Sequence, residues 1–245
     1  MTRVRQAVSD HRPKRTPSTA VDKDRISLLR AWVGTAACAL LTACGGHDDA
    51  VVSAGSIAPE ATASADSAKA SDWRRLATPA DRGRLRSWRG AWVNALAQAD
   101  AREVARERAL FDPDHALDQP LPPPGAYRCR TFKLGARSGT GLSFVGYAWF
   151  ACRIVQNAGG ETITLSKLNG SQRPVGTVYP DTDARGVFLG TMQLGDETRS
   201  MSYGRDTNRD MAGVMERIGP KRWRLVLPYP RFESILDVVE LVPAP

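Results

Sequence analysis

Histidine is almost missing from this chain of 245 residues: there are three, and only His115 lies beyond residue 70. That scarcity removes most histidine chemistry. A Ser-His-Asp triad would have to recruit His115 from the turn after Asp112-Pro113-Asp114, and no Gly-x-Ser-x-Gly elbow precedes it. Cysteine is nearly as sparse, with Cys38, Cys44, Cys129 and Cys152, so the Cys and His ligands of a zinc centre are not available. No apolar run reaches the ~20 residues that a bilayer-spanning helix requires. Phosphate-cradling glycine patterns are absent as well, because Gly139-Thr140-Gly141 reads as a hairpin turn. Asp206, Asn208 and Asp210 have the spacing that opens a calcium loop, but Met211 stands where the glycine belongs and Arg217 where the bidentate glutamate belongs. No cofactor and no metal are expected.

The charge balance, 34 basic against 26 acidic side chains for a net +8, suggests a nucleic-acid binder until its distribution along the chain is considered. Residues 1–43 alone hold eight basic and three acidic side chains, so the remainder carries only +3. A nearly neutral body lacks the basic footprint that nucleic acid requires. Within residues 1–43 an arginine, Arg30, precedes a short apolar stretch from Ala31 to Leu41, followed by Leu41-Thr42-Ala43-Cys44. A short apolar core ending in small residues has the form of a secretory signal. With Cys44 directly after it, the segment resembles the bacterial lipobox, in which the cysteine thiol is diacylglycerated and the chain is cut before it. The resemblance implies a membrane partner through N-terminal acyl chains, and two or three such chains anchor firmly. Gly45, where such lipoproteins carry aspartate for inner-membrane retention, directs the expectation to the periplasmic face of the outer membrane. The expected organisation is therefore a signal peptide over 1–43 and a tether over 44–70, whose Ala, Ser and Gly composition cannot bury enough surface to order itself.

Thr78-Pro79-Ala80-Asp81 has the grammar of a helix start: an N-cap, a proline at the first position and an acid at the positive end of the dipole. Leu85, Trp88, Trp92, Ala95, Leu96 and Ala99 then recur on one face, flanked by Arg82, Arg86 and Arg89. The stripe is expected to dock onto the rest of the domain; a partner or lipid surface flanked by arginines is the other reading. A second helical stretch runs from Asp100 to about Leu110, so that 71–118 is a two-helix segment packed on the β-rich remainder of the chain. Residues 119–125, QPLPPPG, are a proline-rich spacer. From 126 to 245 the pattern changes to short β-rich stretches: 127–134, 144–155, 161–168, 172–179, 186–194, 199–203, 211–218, 222–227 and 235–242. Turn pairs such as Asn169-Gly170 and Gly219-Pro220 separate them. Eight or nine strands in succession without intervening helices make a mainly β, antiparallel up-and-down meander. Closure into a barrel removes its edges, and a sandwich is the alternative.

If Cys38 leaves with the signal and Cys44 is acylated, Cys129 and Cys152 are the remaining pair in an oxidising compartment. A hairpin folded symmetrically between Thr140 and Gly141 sets them opposite each other as a disulfide. The phrases DWRRLATPADRGRLRSWRGAWVNAL, YRCRTFKLG, VFLGTMQLGDE and ERIGPKRWRLVLPYPRFESILDVVELVPA resemble the alphaproteobacterial domain family of unknown function numbered 4893. That resemblance covers nearly the whole body and implies one domain, without any activity, cofactor or site residue.

The functional expectation is a non-enzymatic binding module in the cell envelope, a carrier of an apolar or anionic ligand or an inhibitor of an envelope hydrolase. A carboxylate-dependent hydrolase of cell-wall material, using Asp181, Asp183, Asp206 and Asp210, is the alternative. Beyond residue 43 the cations are 22 arginines and four lysines, and arginine's planar fork suits carboxylate and phosphate groups. Loop-borne Arg173, Arg205 and Asp181 are therefore the candidate ligand contacts. The lipobox is tested directly: Cys44→Ser expressed in a lipoprotein-processing host should accumulate as uncleaved precursor and take up no clickable fatty acid. Undiminished labelling would refute the assignment.

Overall fold

In the computed structural model, residues 72–138 and 141–245 are described; the expected signal peptide, the tether and Cys44 lie outside the described residues. Thr78 caps a helix as its sequence demands, with extended backbone and a side-chain oxygen accepting from the Asp81 N–H at 3.2 Å. The helical segment consists of five short pieces: α1 (Asp72–Leu76), α2 (Pro79–Arg86), α3 (Trp88–Leu96), α4 (Ala101–Arg106) and α5 (Arg108–Phe111). The expected pair of helices is interrupted at Ser87 and Glu107, where the backbone leaves the helical region. The apolar stripe survives the first break, because the Ala91 N–H still bonds the Ser87 carbonyl at 3.0 Å. Leu85, Trp88, Trp92 and Ala95 are all buried.

Nine strands come after them: β1 (Gly125–Ala136), β2 (Phe144–Gly146), β3 (Phe150–Gln156), β4 (Ile163–Lys167), β5 (Gln172–Thr182), β6 (Arg185–Leu194), β7 (Asp210–Gly219), β8 (Arg222–Pro228) and β9 (Ser234–Pro243). From β3 each pairs antiparallel with the next, and β9 returns to β1 from Tyr127↔Pro243 to Ala136↔Ser234. The result is a closed eight-stranded barrel, with β2 a short ninth strand sharing with β3 one edge of β1. Closure satisfies every long edge with a partner.

Three expectations need correction. Residues 144–155 are not one strand: Phe132 opposes Gly146 and Cys129 opposes Phe150, so three residues, 147–149, face two on β1. This bulge turns Trp149 outward, where the Arg128 and Arg130 guanidinium groups lie 5.1 and 4.8 Å from its ring. Residues 199–203 form no strand, because the Tyr203 hydroxyl is drawn to Asp81, donating at 2.7 Å, and accepts from the Thr78 N–H. Cys129 and Cys152 are bonded, with Cα atoms 5.9 Å apart, yet they are diagonal rather than opposite, since Cys152 faces Tyr127. The register set by the β1–β2 pairing and the bulge produces that offset.

Alternation along the strands divides the apolar residues between two cores. The inner core, including Ile154, Leu165, Phe188, Met215, Leu225 and Leu241, fills part of the barrel. Gly176 and Gly190 are paired within it, and a Cβ on Gly190 would meet the Phe188 ring and the Val175 carbonyl, each at 2.4 Å. Glycine there lets the ring fold inward against the sheet. The outer core clamps the helices onto the barrel wall: Trp92, Leu110 and Phe111 meet Phe132, Leu134, Val226, Leu236 and Val238.

At the centre of this outer layer Arg224 of β8 has no exposed surface. It bonds Glu216 of β7 at 2.7 and 2.8 Å, and also donates to the carbonyls of Leu110, Asp112 and His115 at 2.7–3.0 Å and of Ala109 at 3.2 Å. Its guanidinium lies 4.6 Å from the centre of the Trp92 ring. Arg224→Ala should therefore cost ~3–5 kcal/mol in urea unfolding, because Glu216 is left charged and buried and the carbonyls lose their donor. Arg224→Met combined with Glu216→Leu should recover part of that loss; equal destabilisation of both variants would argue against a charge-centred role.

Candidate functional site

The two ends of the barrel differ. At one end the proline-rich spacer closes the wall: Leu121 packs on the inner core, and the Tyr127 hydroxyl donates to the Pro123 carbonyl at 2.8 Å. Trp223 meets the Tyr127 ring edge-on at 6.0 Å just inside. At the other end the inner core stops short and leaves a cavity of about 390 Å³. Its apolar lining includes Phe150, Met192, Met211, Leu227 and Val239, and its charged lining is Lys133, Lys167, Glu233 and Asp237. The barrel is thus a cup, filled below and open above.

Both lysines enter by strand alternation. Lys133 continues the inward row Cys129, Thr131 on β1, and Lys167 continues Ile163, Leu165 on β4. Each is only 6 % exposed, but their surroundings differ. Lys133 reaches Asp237 at 3.3 Å and Glu233 at 3.4 Å. Burial works against its charge, and these two carboxylates outweigh that and hold its pKa above the ordinary value. Burial pushes Asp237 above the usual carboxylate range, with Lys133 and the Ser234 hydroxyl pulling the other way.

Lys167 faces no carboxylate within ion-pair distance among the described residues. Its ammonium donates to the Gln172 carbonyl at 2.9 Å and sits 3.7 Å from the centre of the Phe150 ring. Burial, with the positive charges of Lys133 and Arg173 nearby, lowers its pKa to about 8. The mouth therefore holds one neutralised cation and one that lacks a counter-ion.

The ligand-contact residues singled out from sequence do not line this cavity. Arg173 donates to the carbonyls of Gly170, Leu194, Gly195 and Glu197, stapling the β4–β5 turn to the start of the β6–β7 connection. Asp181, at the end of β5, accepts from the Trp73 indole at 3.0 Å and from Arg74 at 3.1 Å, which docks α1 on the β5–β6 hairpin. Arg205 is exposed in the β6–β7 connection. These three residues do not share a cavity, and Cys44 lies outside the described residues. Reasoning from loop arginines misses the two mouth lysines, whose sequence signal is a lysine at an inward position of an alternating strand. A pH series checks the Lys167 environment. Between pH ~8 and the unfolded value of 10.5 the unfolded chain keeps a proton that the fold has released, so stability should rise with pH across that window. Chemical unfolding should show the rise in the wild type relative to Lys167→Met; parallel curves would mean that Lys167 titrates normally.

No curated protein and no solved structure matches the chain. The family described as a domain of unknown function, DUF4893, matches residues 73–241, from α1 to near the end of β9. The match takes in the helical segment together with the barrel, and the chain belongs to this family.

Proposed function

We propose that the protein is a binding module of the bacterial cell envelope, anchored by acyl chains on Cys44 at the periplasmic face of the outer membrane, and that its barrel mouth holds an amphiphilic anion. The acid group of the ligand meets Lys167, and its apolar body lies against Met192, Met211, Leu227 and Val239. The observation that carries this reading is Lys167 itself, nearly inaccessible and without a carboxylate partner among the described residues, on the wall of a cavity of about 390 Å³. A buried cation without a counter-ion is costly, and an anionic ligand supplies what the fold omits. A concave, mostly apolar site with few polar groups is the ordinary form of a small-molecule pocket. The internal position of the cavity favours a carrier over an inhibitor that projects a loop into an enzyme.

Hydrolysis has no comparable support. Asp181 docks α1, Asp206 accepts from the Asn208 N–H, and Asp210 accepts from the Gly204 N–H through one oxygen while its other oxygen is buried without a partner; none of the four carboxylates, Asp183 included, lines the barrel mouth.

The test is a thermal-shift titration of the full chain with decanoate and with decanol. Decanoate at pH 6.5 should raise the unfolding midpoint, as any ligand of the folded state does. Decanol should raise it far less, and the decanoate effect should shrink at pH 9.5 and vanish in Lys167→Met. Equal stabilisation by the alcohol, or an undiminished effect in Lys167→Met, would defeat the proposal.

A further inference from the structure

A second cavity, of about 350 Å³, lies on the outer wall of the barrel where the helical segment meets the β5–β6 hairpin. Trp73 and Trp88 form its apolar sides. Its charged lining is four arginines (Arg74, Arg82, Arg86 and Arg185) against one acid, Asp181. Asp181 already accepts from the Trp73 indole and from Arg74. Arg82 uses one terminal nitrogen on the carbonyls of Arg74 and Ala77, which closes the corner between α1 and α2. Arg86, in the last turn of α2, is exposed and has no acidic partner among the described residues. Arg185 lies with its guanidinium carbon 5.0 Å from the centre of the Trp88 ring. Its Nε is buried without a hydrogen-bond partner and faces Glu216 Oε1 at ion-pair distance, 3.7 Å, while Arg224 holds the other oxygen of that carboxylate.

Three guanidinium groups thus line one cavity: among the described residues Arg82 and Arg86 have no carboxylate partner, and Arg185 shares Glu216 with Arg224. We infer that this cleft is an anion site for a phosphate-ester group, held by Arg86 and Arg185 with the remaining donors of Arg82, beside the two indole rings. The number of donors selects phosphate. A carboxylate offers two oxygens, which one arginine fork satisfies, whereas the several oxygens of a phosphate ester can accept from separate arginines at once. The Arg185 side chain is partly exposed, so its terminal nitrogens can donate to a ligand oxygen while Nε stays turned toward Glu216. This site is independent of the barrel mouth: its residues face outward from the wall, and none lines the other cavity.

The phosphate could belong to a soluble ester or to a phospholipid headgroup, and two arms separate these sources. In the first, the full chain is titrated calorimetrically with sn-glycerol 3-phosphate. In the second, it is sedimented with phosphatidylglycerol vesicles and with phosphatidylcholine vesicles. The wild type is compared with the Arg86→Ala/Arg185→Ala double variant, so that the basic N-terminal residues contribute equally to both. Arg153→Ala, at an exposed position on β3, controls for loss of charge alone. Circular dichroism and the unfolding midpoint establish that the double variant folds; Arg185→Lys, which keeps the charge and removes the fork, replaces Arg185→Ala if it does not. The expected result is binding by the wild type and by Arg153→Ala, weakened about tenfold or more in the double variant, as loss of charge-assisted hydrogen bonds implies. Such a loss in the soluble arm supports a phosphate-ester site open to free ligand, and a loss confined to phosphatidylglycerol vesicles supports a headgroup. Binding in neither arm, or binding that the double variant and the wild type share, overturns the inference.

Discussion

The ion pair between Arg224 and Glu216 ties the two layers of this protein together. Neighbouring strands β7 and β8 present it on the outer wall, and helices α3 and α5 with the turn after them close over it. A guanidinium removed from water needs nearly all its N–H groups satisfied, and here a carboxylate and several main-chain carbonyls do so. The carbonyls come from the place where α5 ends and its last C=O groups lack intrahelical partners. One side chain therefore answers two deficits, the helix end and the buried glutamate, and fixes the helical segment on the wall at one position. Trp92 completes the contact by stacking on the guanidinium while its indole N–H bonds the Phe111 carbonyl at 3.0 Å.

Beside this pin lies a ring of alternating charges. Arg130 and Arg222 each bridge Glu107 and Glu240, so strands β1, β8 and β9 share one network with the residue that separates α4 from α5. Burial opposes the charge on Glu107, but the two arginines hold its pKa below the usual carboxylate range. Partly buried pairs of this kind are screened less than surface pairs, and their geometry fixes position as well as energy. Arginine serves as structural mortar on the outside of this barrel, whereas the inside of the mouth carries lysine. The distinction is physical. A guanidinium fork suits fixed carbonyls and carboxylates, while a lysine ammonium is a compact charge whose pKa burial shifts readily.

The cup shape follows from where large side chains fall along the inward rows. Tyr127, Trp223, Phe188 and Leu241 occupy the closed half, and Thr131, Lys133, Asp237 and the two methionines Met192 and Met211 reach the open half. Methionine adapts to irregular space better than branched residues do, which suits the wall of an incompletely filled barrel. The helices leave this opening clear because their apolar stripe is spent on the outer wall. The arginine-lined cleft beneath them arises from the same docking, since α1 and α2 bring their cations to a hairpin whose one lining acid is already bound.

Much of this was legible in the chain. Thr78-Pro79 named a helix start, the Trp88–Trp92 stripe named a face to be buried, and the alternating runs named a meander whose edges favour closure, all through local rules that relate neighbours a few residues apart. The Cys129–Cys152 bond was legible too, but its diagonal register was not, because the bulge at 147–149 depends on what Trp149 finds across the sheet. Among 22 arginines beyond residue 43, composition offered no means of separating Arg173, which staples a turn, from Arg224, which pins the helices. Their roles depend on carbonyls that approach from distant parts of the chain, over a hundred residues away for Arg224. The same holds for the mouth: sequence alternation places Lys133 and Lys167 inside, but only closure of β1 against β9 gives Lys133 its carboxylates, and among the described residues Lys167 is left without one. Local sequence determined the elements and the face each would bury. The tertiary structure decided which charges were neutralised, because a counter-ion is a matter of distance in space, and a strand's own sequence does not encode it.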